Sequence, residues 1–495
     1  MFGDVPDMKN HIRAGGGMFS WISSQVVAMN SPIIQVFLRP FSTPWVVVAD
    51  FRESQDILMR RTREFDRGDD FADLVGGITP EHHIVMKSAK SEYKSHRRLI
   101  QDLMTPSFLN DAQKARLAKG HPFSAGDDFY KAALDAIWAV TFPFDLNDSV
   151  IATQHNLLAS TDDIDTILPA NIDDPAIFPV AQMKSAQKSI LTITESLPYM
   201  RNARAVKEEM IKGELDKATA RFEKNANKKP EASCAMDEIL YRELAAAKKE
   251  KRTPVYHTRA IYDELFGLLV AGHDTTSTTA AWGLKLLSDH QSIQAKLRYA
   301  VCQGFPEAAA ESRWPTAEEI SKAHIPYLDA TCEEIIRKSM TANGVMRKAL
   351  VDTSILGHHI PKGTNVFFLG NGPDYVLPPV GNIPEELRSE TCRTAKGRTG
   401  SWDPQDCAQF KPERWLVVED GKEVFDATSG PLLTFGLGPR GCFGRRMAYL
   451  ELKIALVLLV WNFKLRVAPQ ELSSYRPLEK LTYQPEQCYL KLKMA

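Results

Sequence analysis

Apolar and polar residues follow strand spacing at the start of the chain and helical spacing through most of the rest. Two β-rich runs, Ile33–Leu38 and Trp45–Ala49, come first, separated by RPFSTP, whose prolines and small polar residues suit a turn. From about residue 51 apolar positions recur every three or four residues. This predicts helices over 51–62, 91–104, 128–140, 183–224, 235–248, 258–289, 292–302, 316–340 and 444–462. Strand-like pieces return late, in SILGHHIPKGTNVFF (354–368), FKLRVA (463–468) and CYLKLK (488–493). Residues 371–409, rich in Pro, Gly and polar side chains without periodicity, read as an irregular surface excursion. The Lys- and Glu-crowded segment 213–255 reads as helix ends and solvated connections. No repeat, low-complexity block or clear linker divides the sequence. The expected fold is mainly α with a minor β part, a single domain over 1–495 whose β-rich portions lie at about 30–60, 341–370 and 463–495.

Composition narrows the function classes. Hydrophobic residues make up 44% and charged residues 25%, as in a globular chain with a large core. A net charge of −1 offers no overall attraction to nucleic acid or to an anionic membrane, so partner electrostatics must be local. Seven cysteines, at 234, 302, 332, 392, 407, 442 and 488, contain no C-x-x-C. That argues against zinc and a disulfide framework and favours a reducing compartment. The opening MFGDVPDMKNHIRAGGG reads as neither signal peptide nor spanning helix. The longest apolar run, Ile454–Trp461, falls far short of the roughly 20 residues a bilayer needs.

One loop carries candidate chemistry, FGLGPRGCFG at 435–444. Its Gly436-Leu-Gly438-Pro-Arg-Gly441 has the spacing of a dinucleotide-binding turn, with strand-like PLLTF before it and a helix after. Against that reading, no βαβ alternation surrounds it, FKLRVA does not end in an acidic residue, and Pro439-Arg440 occupy the point where the helix should begin. The second reading centres on Cys442. The glycines bring backbone N–H groups close to one atom, and the helix that starts near Arg445 aims its positive end at the same place. A thiolate would be stabilised there, as a nucleophile or a metal ligand; a buried structural cysteine is the plainer alternative.

Phe435-x-x-Gly438-x-Arg440-x-Cys442-x-Gly444 resembles the haem-ligand loop of the cytochrome P-450 family. Three further motifs follow that family's order. Ala271-Gly272-His273-Asp274-Thr275-Thr276 resembles its oxygen-binding helix, Glu334-Ile-Ile-Arg337 its E-x-x-R helix, and Phe410-Lys-Pro-Glu-Arg414-Trp415 its P-E-R-F segment, with Trp in the last place. The resemblance implies the cytochrome P-450 fold, with haem b (iron protoporphyrin IX) between a long distal helix and a proximal cysteine loop.

By the same resemblance Cys442 is the axial iron ligand, Phe435 packs beside its sulfur, and Gly436 and Gly444 belong to the cofactor-binding loop. Arg440 and Arg347 pair with haem propionates, joined by Tyr93 and Arg97 of YKSHRR, where Tyr replaces the family's Trp. Ala271 and Gly272 leave room for the macrocycle and dioxygen. Thr275 and Asp274 deliver protons, the alternative for Thr275 being a hydroxyl bonded back to its own helix. Glu334, Arg337 and Arg414 form a structural ion network. KSMTANGVM after Arg337 lacks the family's usual prolines.

The implied activity is insertion of one oxygen atom from O2 into a lipophilic small molecule of secondary metabolism. The implied pocket is apolar, drawing on Phe71, Leu74, Ile78, Ile164, Ile167, Leu168, Phe178, Phe266, Leu268 and Val345. Electrons would come from a separate NADPH-cytochrome P-450 reductase-type flavoprotein meeting Lys90, Lys94, Arg98, Arg445 and Arg446. No nucleic-acid partner is expected, and the chain is expected to be a monomer. Oxidative coupling or ring formation without oxygen insertion is the alternative within the fold, and a haem sensor the alternative outside catalysis. The motif style resembles fungal microsomal members, tethered at the cytoplasmic face of the endoplasmic reticulum. The expectation is a chain that starts near the family's globular part, either shortened or peripherally attached.

Overall fold

A computed structural model describes residues 3–39, 42–68, 79–90, 92–94, 96, 123–142, 198–224, 234–396 and 399–495. In chain order the principal elements are α1 (Val5–Arg13), α2 (Met18–Met29), β1 (Ile33–Val36), β2 (Trp45–Val48), α3 (Phe51–Met59), β3 (Phe65–Asp66), α4 (Ala125–Thr141), α5 (Pro198–Lys224) and α6 (Ala235–Glu250). Then come α7 (Arg259–Asp289), α8 (Gln291–Gly304), α9 (Pro326–Ser339), β4 (Gly344–Ala349), β5 (Asn365–Leu369), α10 (Arg445–Asn462), β6 (Phe463–Arg466) and β7 (Tyr489–Met494). The chain divides into two compact units, Met1–Gly68 with Thr278–Ala495, and Asp69–Ser277.

The first unit is organised by a five-stranded sheet of order β1-β2-β5-β4-β3. β2 and β5 pair in parallel, Trp45 opposite Asn365, and the other pairs are antiparallel. β5, NVFFL, is buried at every position. Val366 and Phe368 enter one core with Val46, Val48 and Ile57, while Phe367 and Leu369 enter a second with Trp21, Ile22 and Val47. A sheet covered on both faces needs no polar alternation, which explains the unbroken apolar runs WVVVA and NVFFL. The strand-like stretch 354–368 resolves into a hairpin, Thr353–Ile355 with His358–Ile360, followed by β5.

Helix boundaries have local causes. Asp50 caps α3 by accepting the Glu53 N–H at 2.6 Å. The single helix expected over 316–340 is broken: a capping box at Thr316 starts a short helix, Ala317–Lys322, and Pro326 opens α9. The sequence reading passed over α1 and α2. The N-terminus of α2 is closed by Glu479, which accepts the Phe19 and Ser20 N–H groups at 3.1 and 3.3 Å.

In the second unit, α4, α5, α6 and the first two-thirds of α7 bury apolar faces that include Phe129, Ile137, Leu215, Phe222, Leu240, Leu265 and Phe266. Among the described residues no helix is long and apolar enough to cross a membrane.

Candidate haem site

Residues 435–444 fold as a tight loop rather than a strand–turn–helix unit. PLLTF forms no strand, Gly438–Arg440 is one 3-10 turn, and α10 begins at Arg445. The dinucleotide geometry is therefore absent. Gly436 and Gly438 sit at φ +62° and +69°, the left-handed region that side chains disfavour. Gly438 is doubly constrained, because a Cβ there would lie 2.2 Å from the Leu58 carbonyl oxygen at the end of α3. The Cys442 N–H closes the loop on the Phe435 carbonyl at 2.6 Å.

Of the seven cysteines only Cys442 is exposed. Burial around its sulfur nonetheless pushes the thiol above its ordinary value. The N–H groups of Gly444 and Arg445 and the Arg445 charge pull it back down. A sulfur with donors behind it and an open front is a donor set for a bound iron. Gly444 adds room, since a Cβ there would meet no atom within 4 Å. Phe435 lies beside the loop with its ring 5.5 Å from Tyr449. Arg440 is nearly buried, its Nε 3.9 Å from Asp66. Arg347 is buried on β4 and donates to the Met346 carbonyl at 2.9 Å.

Behind α9, the expected ion network gains members. Arg337 meets both Glu334 oxygens, at 2.7 and 2.8 Å, and Arg414 Nε reaches Glu334 Oε1 at 3.2 Å. Glu334 also accepts the Lys411 N–H and the Trp415 indole N–H, both at 2.9 Å. Arg337 spends its remaining donors on the carbonyls of Tyr375, Cys407 and Gln409. Trp402 lies under both guanidiniums, 5.5 and 5.2 Å from its ring. Trp415 is thus no neutral replacement for Phe: its ring nitrogen satisfies a buried carboxylate.

Between Ile261 and Ser288, α7 is buried except at Gly267, Leu268, Ala271, Gly272, Thr275, Thr276 and Thr279. At helical spacing these fall on one face, the less covered side of the helix. Gly272 departs from the expectation that it leaves room for a macrocycle, because a Cβ there would lie 2.4 Å from Ile137 Cδ1. Its small size serves the close approach of α4. The Thr275 hydroxyl donates to the Ala271 carbonyl at 2.7 Å, so its proton is turned onto its own helix. Asp274 is buried, and burial lowers neighbouring His273 below its ordinary value, which the Asp274 charge only partly offsets.

Tyr93 is buried beside His83, their rings 6.4 Å apart. Arg97, Arg98, Phe71, Leu74, Ile78, Ile164, Ile167, Leu168 and Phe178 lie outside the described residues. Of the remaining pocket residues, Phe266 is buried and Leu268 and Val345 are half-buried.

Sequence reasoning missed one cluster. Glu264, two turns before Ala271, accepts the His83 N–H at 2.5 Å and the His83 ring Nδ1–H at 2.7 Å. His82 Nε2 lies 3.5 Å from the same carboxylate, and His96 Nδ1 lies 3.9 Å away. His82, His83 and Glu264 fall within metal-ligating range of one another. His82 Nδ1, however, accepts the Ile84 N–H, so the neutral ring carries its proton on Nε2, facing Glu264. The positions between nitrogen and carboxylate are taken by protons, and the cluster is a hydrogen-bonded anchor. Next to it, Asp263 accepts the Glu81 N–H at 2.8 Å and pairs with buried Lys207 at 3.1 Å. Two adjacent carboxylates thus hold residues 81–83 to the helix.

The chain is similar to known proteins over nearly its whole length. The sequence model of the Cytochrome P450 family matches residues 31–372 and 402–492. Cytochrome P450 monooxygenase TRI13 of Fusarium sporotrichioides is 38% identical, covering 99% of this chain and 92% of its own length. Cytochrome P450 monooxygenase xilC of Penicillium rubens is 32% identical, covering 100% and 90%. The haem domain of cytochrome P450DA superposes with a TM-score of 0.67 at 19% identity, over 98% of this chain and 95% of that one, which bears on the fold alone. The chain belongs to the cytochrome P450 family. It is an oxidoreductase of the monooxygenase kind, and the family's cofactor is haem.

Proposed function

We propose that this P450 inserts one atom of dioxygen into a C–H or C=C bond of a lipophilic small molecule, using electrons from a separate NADPH-dependent flavoprotein. The observation that carries the reading is Cys442, the one exposed cysteine, with two backbone N–H groups and a guanidinium behind its sulfur. Haem b, when bound, supplies the dioxygen chemistry that no side chain can. The protein's residues hold and serve it. Cys442 offers a thiolate to the iron, and the carboxylate-binding role falls to Arg440 and Arg347, with Tyr93 and Arg97. Asp274 and Thr275 relay protons along the less covered face of α7. The half-buried apolar side chain of Leu268 suits a lipophilic substrate. Exposed Arg445 and Arg446 beside the cysteine loop suit an acidic electron donor. Attachment at the cytoplasmic face of the endoplasmic reticulum belongs to the same proposal.

The test is the absorption of haem-loaded, reduced, carbon-monoxide-treated protein beside Cys442→Ser. A long-wavelength Soret band in the wild type that the variant lacks is expected, and its absence from the wild type would sink the ligand assignment. Turnover under labelled O2 then separates the two chemistries: label in the product supports insertion, and unlabelled product means coupling or ring closure.

A further inference from the structure

α9 and α10 meet along a seam of charged side chains next to the cysteine loop. The Tyr449 hydroxyl donates to Glu333 Oε2, and Arg445 Nη2 stands 3.7 Å from Glu333 Oε1. One turn on, Lys453 pairs with Asp329. Residue numbers rise along α10 as they fall along α9, so the helices run antiparallel here and the partners are fixed in register.

Glu333 is an odd member of this seam. It is 1% exposed, yet its Oε1 accepts no hydrogen bond among the described residues. A buried carboxylate with half its acceptor capacity unused is costly and needs a reason. Its nearest cation is Arg445, whose guanidinium lies over the rings of Phe435 and Tyr449 at 5.6 and 5.4 Å. That same guanidinium acts on the Cys442 sulfur.

We infer that the Arg445 charge near the Cys442 sulfur and the buried Glu333 carboxylate behind it together set how readily the ligated iron accepts an electron. The inference rests on Cys442 as the iron ligand. A positive charge near the sulfur favours the more negative, reduced state, whereas the Glu333 carboxylate, which burial raises to about 7, opposes it above that pH, where the titration is run. The two residues therefore act on the midpoint potential with opposite sign. Arg445 is half exposed, so solvent moderates its share.

Spectroelectrochemical titration of the haem-loaded full chain decides the matter, with the reduced carbon-monoxide spectrum of each variant as a control. Arg445→Gln should move the midpoint to more negative values, Glu333→Gln to more positive values, and Arg445→Lys should restore most of the wild-type potential. A merely structural role predicts shifts of one sign, or loss of the long-wavelength band, in both charge-removing variants. Shifts of the same sign, or an unchanged potential in Arg445→Gln, overturn the inference. If Glu333→Gln fails to retain haem, the Arg445→Gln and Arg445→Lys pair decides alone. Absence of the long-wavelength band from the wild type would instead indict the ligand assignment, so the two failures are distinguishable.

Discussion

Glu334 in α9 and Glu264 in α7 are both fully withdrawn from solvent, yet they are neutralised by opposite kinds of partner. Glu334 faces two guanidiniums, an indole and a backbone amide, none of which loses its proton in the physiological range. Glu264 faces histidines and the backbone of residue 83. Burial pushes the His82 ring down to about 4, so it stands neutral at pH 7. Despite its burial, the Glu264 carboxyl is held below its ordinary range, chiefly by the His83 ring hydrogen bond. The first anchor is permanent. The second is conditional on proton count, and it holds residues 81–83, in a stretch expected to border the substrate pocket.

The sharpest way to break this contrast is Glu334→Ala. It leaves Arg337 buried without its carboxylate and should cost about 3–5 kcal/mol, with haem content falling in step. Chemical denaturation and haem-to-protein ratio measure both, and normal values would reduce Glu334 to the level of a surface pair.

Acid should discriminate next. Between pH 6.5 and 4 the unfolded chain binds a proton on residue 82 that the folded ring refuses, so stability falls as pH falls through that window. The loss reaches about 3 kcal/mol once pH is below 4. Glu264, with its lowered value, loses stabilising charge in the same direction. Hydrogen exchange at pH 5 should therefore quicken in 81–86 before it does in 334–337. His82→Asn, which can still cap Ile84, should remove most of the difference. Equal protection of both segments from pH 7 to 5 would erase the distinction.

Trp415→Phe is the mildest test. It deletes one hydrogen bond to a buried carboxylate while keeping an aromatic ring, for a loss of about 2 kcal/mol. An unchanged melting curve would mean that the indole fills space only.

How much of this was legible in sequence depended on how local its cause was. The long helix expected at 258–289 occurs as Arg259–Asp289, and the cysteine loop and its following helix lie where the motif put them, because spacing and glycines act within a few residues. Features closed from afar were invisible. α2 takes its N-terminal acceptor from Glu479, Trp415 finds its acceptor in Glu334, and Glu264 meets histidines 181 residues earlier in the chain. Thr275 and Gly272 were read by motif, whereas their observed contacts come from an adjacent carbonyl and from α4.

The bond from Phe19 to Glu479 spans 460 residues, and β2 can find its parallel neighbour only when Asn365–Leu369 has been made. During synthesis, at roughly 5–20 residues per second, the first strands and helices therefore wait tens of seconds for their partners. Over that interval the apolar run WVVVA is an unpaired edge. The ribosome-bound chain thus depends on shielding of that edge until Asn365–Leu369 emerges.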